Sequence, residues 1–208
     1  MDKPNFYNYI TNYERKEFKI AVIGNYAVGK SSLIRRFVDD KFIENKSCPT
    51  KSTTEYEFQK TSYDTIMLNI WDTMGNNQFH SLMGTYLKSV DGIIIVRDIS
   101  TETKEEHDDT NINNWLESIK KTVHCTIPII IAMNKSDLES SDLESSGLQT
   151  ILHKNNECIY TSAKTGSNVK LLFSTMVKNM IENANKKTKK DVIKLSSIKN
   201  KYAGKCSY

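Results

Sequence analysis

Apolar and polar residues follow two rhythms along this chain. Phe18-Lys-Ile-Ala-Val-Ile23, Gly92-Ile-Ile-Ile-Val96 and Ile127 to Met133 are short, nearly continuous apolar runs, which predict strands covered on both faces. Tyr56 and Phe58 alternate with glutamates, and Ile66, Leu68 and Ile70 with polar residues. That period of two predicts two half-buried strands, joined through Ser62-Tyr-Asp64 as an antiparallel hairpin. Cys158 to Tyr160 predicts a last short strand. Between these runs the spacing turns helical: Leu33, Ile34 and Phe37; Leu82 to Leu87; Ile112, Trp115, Leu116, Ile119 and Val123; and Val169, Leu172, Phe173, Met176 and Met180. Strands alternating with helices predict an α/β fold. It has a mainly parallel six-stranded sheet, one antiparallel edge strand and helices on both faces.

The polar stretches divide the chain. Residues 1–16 read as a flexible lead-in, 17–183 as the globular domain and 184–208 as a basic flexible tail. Asp40 to Thr53, with Pro49, reads as a long exposed loop, a kind often functional beside a binding site. Asp-Leu-Glu-Ser-Ser occurs at 137–141 and again at 142–146, and reads as a solvated loop running into a helix N-terminus.

Composition changes this picture only at the ends. At 208 residues and 38% hydrophobic the chain suits one domain plus an appendage. The net charge of +4 hides an asymmetry: residues 186–205 hold eight lysines against Asp191 alone, so the body is about −3 and the tail +7. An acidic partner, such as an anionic membrane surface, is expected for the tail only. Cys48, Cys125, Cys158 and Cys206 lie far apart with no C-x-x-C spacing, which suggests neither a zinc site nor a disulfide framework. A reduced, cytoplasmic setting with peripheral membrane contact follows. No aromatic-rich basic surface supports a nucleic-acid role.

The chemistry begins at Gly24-Asn-Tyr-Ala-Val-Gly-Lys-Ser31, which fits G-x-x-x-x-G-K-[ST] residue for residue, between a predicted strand and a predicted helix. Gly24 and Gly29 let the backbone of Asn25, Tyr26, Ala27 and Val28 curl until N–H groups point at phosphates. Lys30 then reaches the β- and γ-phosphates, and the Ser31 hydroxyl, with Ser32 beside it, meets Mg²⁺ at the positive end of the helix dipole.

Three more motifs follow in order: Asp72-x-x-Gly75, Asn134-Lys-x-Asp137 and Ser162-Ala-Lys164. Together with the phosphate loop they resemble a Ras-superfamily small GTPase, and Trp71, Tyr86 and the lysine-rich tail look most like the Rab branch. The resemblance covers residues 17–183. It implies GTP or GDP with Mg²⁺, a monomer, and effector, exchange-factor and activating proteins at two switch loops. It also implies that Asp137 selects guanine, Asn134 holds the purine edge, Lys135 lies along the base and Ala163 donates to guanine O6. Phe42 would pack on the base, Asp72 would bind Mg²⁺ through water and the Gly75 amide would sense the γ-phosphate. A phosphate-loop kinase of small molecules is disfavoured, because Asn134 to Asp137 is a guanine-selecting element.

The departures from the family pattern are specific. Nineteen residues after Lys30, where the family has a Mg²⁺-binding Thr, stands Pro49; Thr50 follows and is the candidate ligand. Of the three aromatics that the family presents to effectors, Trp71 and Tyr86 fall in place, while the third position is Thr54. The catalytic Gln position is Asn76, and the third loop position, small in most relatives, is Tyr26. Cys206 is the lipidation candidate, although neither a C-a-a-X ending nor a cysteine pair is present. A Rab-like switch with slow hydrolysis is the expected function, and a constitutively GTP-bound binding module the alternative.

Overall fold

The computed structural model describes residues 16–44, 53–59, 65–73, 87–100, 110–123, 126–138, 150–153 and 156–203. Its strands are β1 (Lys16–Ile23), β2 (Thr53–Gln59), β3 (Thr65–Asp72), β4 (Gly92–Asp98), β5 (Ile129–Asn134), β6 (Thr150–His153) and β7 (Asn156–Tyr160). Among the described residues three α-helices accompany them: α1 (Lys30–Asp39), α2 (Thr110–Thr122) and α3 (Val169–Ala203). The strands form one sheet in the order β2-β3-β1-β4-β5-β7-β6. β3, β1, β4, β5 and β7 run parallel, while β2 pairs antiparallel with β3 and β6 with β7. Strand order turns back at β1, whose neighbours are β3 and β4, and ligands of open α/β sheets bind at the C-terminal ends beside such a point.

Both faces of the sheet are covered, which is why the parallel strands are apolar at successive positions. Ile20 and Val22 of β1, Leu68 and Ile70 of β3, and Ile94 and Val96 of β4 pack with Leu33 and Phe37 of α1 and Leu172, Phe173 and Met176 of α3. The alternate residues Ala21, Ile23, Ile93, Ile95 and Ile131 pack on the other face with Ile112, Trp115, Leu116 and Ile119 of α2. Burial of one such side chain stabilises by about 1.5–3 kcal/mol, so these two layers supply most of the driving force. Phe37 ties α1 to both neighbours. Its ring stacks on Phe173 at a centroid distance of 4.0 Å and tilts against Tyr56 of β2 at 4.5 Å.

Two expectations are corrected. The sheet has seven strands, not six, and both of its edges are antiparallel. The added strand is β6, which follows the 137–146 repeat that was expected to run into a helix N-terminus; Thr150-Ile-Leu-His153 is too short to show a period, and its β-branched pair Thr150 and Ile151 suits the pleat. The last helix also runs past residue 183, where a flexible tail was expected to begin, and is continuous to Ala203. Neither Gly nor Pro occurs between Val169 and Ala203. The residues of the 137–146 repeat from 139 on, the hairpin turn and residues 82–86 lie outside the described residues.

Candidate functional site

The phosphate loop leaves β1 directly. Gly24 has φ +143 and Gly29 φ +97, conformations that L side chains rarely adopt, and a Cβ at either would run into the Val96 carbonyl or the Asn134 side-chain amide respectively. Ala27 takes a left-handed φ of 62 between them. The loop therefore wraps closely on β4 and β5, with Asn25, Tyr26 and Ala27 exposed and Val28 buried. Ser31 and Ser32 follow Lys30 in the first turn of α1, partly buried.

Lys30 is 6% exposed and folds back over the loop, donating to the Gly24 carbonyl at 3.1 Å and the Asn25 carbonyl at 2.6 Å. Burial pulls its pKa from 10.5 down to about 8, while the Asp72 carboxylate opposes that shift. Asp72, at the end of β3, is displaced the other way. Burial raises its pKa, and a hydrogen bond from Ser31 and the charges of Lys30 and Arg35 hold it down only in part. Its Oδ1 is fully buried and has no hydrogen-bond partner among the described residues. An acceptor left in that condition costs about 1–3 kcal/mol. A hard cation beside Ser31 and Asp72, with phosphates against Lys30, would satisfy both groups, so these residues fit Mg²⁺ and a polyphosphate.

The second half of the site lies at the ends of β5 and β7. Asp137 sits in a 3₁₀ turn over Ser136–Leu138 and accepts from the Ser162 hydroxyl at 2.5 Å. Asn134, only 1% exposed, donates to the Val28 carbonyl at 2.9 Å and accepts from the Ala163 amide at 3.2 Å and the Thr161 hydroxyl at 3.4 Å. It thus joins the phosphate loop to the guanine loop. Lys135, at φ 64, pairs its ammonium with Asp98 at 2.5 Å. Desolvation works to raise the Asp98 pKa, but Lys135 and the hydroxyl and amide of Ser100 outweigh it and leave the carboxyl below its usual range. Phe42 is partly buried and packs against the α1–α3 side of the core.

The structure thus brings together Gly24 to Ser32, Asp72, Asn134, Lys135, Asp137, Ser162, Ala163 and Lys164 along one end of the sheet. Thr50, Gly75, Asn76 and Cys206 lie outside the described residues. Three contacts escaped sequence reasoning. Arg36 grips the Ala163 and Lys164 carbonyls, Asp98 anchors Lys135, and the Trp115 indole donates to Asn25 Oδ1 at 3.2 Å. Tyr26 is 80% exposed and lines a cavity of about 210 Å³ together with Asn25, Arg97, Asp98, Ile112 and Trp115. Among the described residues no helix is long and apolar enough to cross a membrane.

A glycine loop on β1, a buried lysine, an unsatisfied aspartate opposite it and a guanine-type motif on β5 define a phosphate-loop nucleotide-binding domain. The model of the Ras family matches residues 19–182, and the chain belongs to that family, as a Rab-like small GTPase. It is 34% identical over 163 residues to Ras-related protein Rab-1 of Theileria parva, covering 77% of this chain and 73% of that one. It is 31% identical over 170 residues to Rab-13 of Canis lupus familiaris (79% and 80% covered). To RABA4b of Arabidopsis thaliana it is 32% identical over 176 residues (82% and 75%).

Proposed function

We propose that this protein is a Mg²⁺-dependent guanine-nucleotide switch acting in intracellular vesicle trafficking, peripheral on the cytosolic face of a membrane, with slow GTP hydrolysis. The observation that carries the nucleotide part is the buried, partnerless Asp72 Oδ1 beside Ser31 and Lys30. A bound Mg²⁺ would supply neutralisation of phosphate charge there. The chain's own residues do the rest: the loop amides and Lys30 hold phosphates, Ser31 and Asp72 hold the cation side, and Asp137 braced by Ser162 selects the base. Asn134 keeps the two halves at a fixed spacing. Exchange, effector and activating proteins would act at the loops carrying Thr50, Gly75 and Asn76. The basic end of the chain, with or without a lipid on Cys206, would meet an anionic leaflet. The test is fluorescent GDP binding with and without Mg²⁺, against ADP. Equal affinity for the two nucleotides ends this reading.

Asn76 and the exposed Tyr26 favour a second reading, a GTP-bound binding module in which hydrolysis is not the off-signal. Single-turnover hydrolysis separates the two.

A further inference from the structure

Arg36 belongs to no motif and stands in the second turn of α1, six residues after Lys30, yet its guanidinium is almost wholly occupied. Nε donates to the Ala163 carbonyl at 2.8 Å and one terminal nitrogen to the Lys164 carbonyl at 2.7 Å. The other donates to the Asp40 carbonyl at 2.9 Å and the Asp40 carboxylate at 3.3 Å. The side chain is 16% exposed, while Asp40 is 80% exposed, so the ion pair itself contributes little and the carbonyl contacts dominate. The two gripped carbonyls are consecutive in a turn that the Gly166 amide closes on the Ser162 carbonyl at 2.9 Å. A planar fork reaches both at once; a single ammonium cannot.

We propose that Arg36 is a positioning residue for guanine recognition: it sets the Ser162–Lys164 loop, and with it the Ala163 amide, at a fixed distance from the phosphate loop. The proposal rests on the guanine reading above. Its physical basis is that α1 is one rigid element. Lys30 and Ser31 stand at its N-terminal end, and Arg36 about 9 Å further along the axis, at 1.5 Å per residue. Phosphate site and base loop are thus held by the same helix, and Asn134 closes the circuit from the opposite side through Val28 and Ala163. The Arg36 grip also ends on Asp40, the left-handed residue that caps α1 where the chain leaves toward Thr50.

The probe pair is GDP and 2-aminopurine riboside 5′-diphosphate, which keeps the 2-amino group but lacks both O6 and the N1 proton; Arg36 acts on the O6 contact, so only that part of the preference should respond to its substitution. Arg36→Ala should speed GDP release about 10- to 100-fold, and should narrow the preference for GDP over the 2-aminopurine nucleotide at least about fivefold. Arg36→Lys should narrow it by a smaller factor, and carries the measurement if the alanine variant fails to fold. General loosening of the fold would weaken both nucleotides equally and leave the ratio unchanged. An unchanged ratio in a guanine-selective protein overturns the inference alone. A wild-type chain that holds GDP no better than ADP overturns the guanine reading and this inference with it.

Discussion

The side-chain amide of Asn134 donates to the Val28 carbonyl at 2.9 Å, across 106 positions of sequence. Because its oxygen also accepts from Ala163 and Thr161, one buried residue serves both halves of the site. Asn134→Ala would leave the Val28 carbonyl and the Ala163 amide without this partner, at about 1–3 kcal/mol for each that stays buried. Denaturant unfolding of the nucleotide-free protein should show that loss, and pyrophosphate binding should weaken along with GDP. Pyrophosphate affinity equal to wild type would mean that Asn134 serves the base alone.

Asp137 is held in place by the Ser162 hydroxyl before any base arrives. Asp137→Asn replaces an acceptor with a donor, so GTP and GDP affinity should fall together by about 10- to 100-fold while xanthine nucleotides gain. Competition between GDP and XDP measures this directly. Parallel weakening of XDP would place Asp137 in a structural role only.

Lys30 gives the site a pH signature. With its folded pKa lowered to about 8, it binds fewer protons than the unfolded chain between about 8 and 10.5. Relative to Lys30→Met, the stability of nucleotide-free wild type should be lowest below about pH 8 and rise through that window, by at most about 1.4 kcal/mol per pH unit. A polyphosphate favours the ammonium, so GDP affinity should instead decline above about pH 8 in wild type and not in Lys30→Met. Two flat difference profiles would show that Lys30 is not buried as described.

Hydrolysis should be slow. Water positioning and an inserted cation are together worth about 10⁵-fold in small GTPases. At the position where the family pattern implies a water-positioning Gln stands Asn76, one methylene shorter, and the exposed Tyr26 stands on the phosphate loop where that pattern implies a small residue. Asn76→Gln alone should change single-turnover hydrolysis little, and Asn76→Gln with Tyr26→Gly should exceed the product of the two single effects. Wild-type turnover at the level of ordinary Rab proteins would refute this.

Much of this was legible before any coordinates. Gly24, Gly29 and Lys30 announce themselves because a phosphate loop is a local object, and the strands show because burial on both faces writes continuous apolar runs such as Ile93 to Val96. Arg36 was invisible for the opposite reason. It reads as an ordinary solvent-facing arginine on an amphipathic helix, and its partners Ala163 and Lys164 offer only backbone carbonyls 127 and 128 residues away. Lys135 was expected along the base, but the acid that fixes its ammonium, Asp98, ends a different strand. β6 was lost because four residues carry no period. Asn134, which the resemblance assigns to the purine edge, is a brace between Val28 and Ala163.

The unbroken course of α3 has a mechanical consequence. Among the residues whose side chains are described, Ala184 is the last that packs on the core, and the helical backbone continues 19 residues further to Ala203, about 28 Å at 1.5 Å per residue. Were the chain's end held at a surface, a leash of that length would let the domain tumble freely above it, whereas a helical strut would transmit torque and give the domain a bearing. A proline near the start of that stretch, as in Thr188→Pro, would turn strut into hinge without touching the phosphate loop or the Asn134–Asp137 loop.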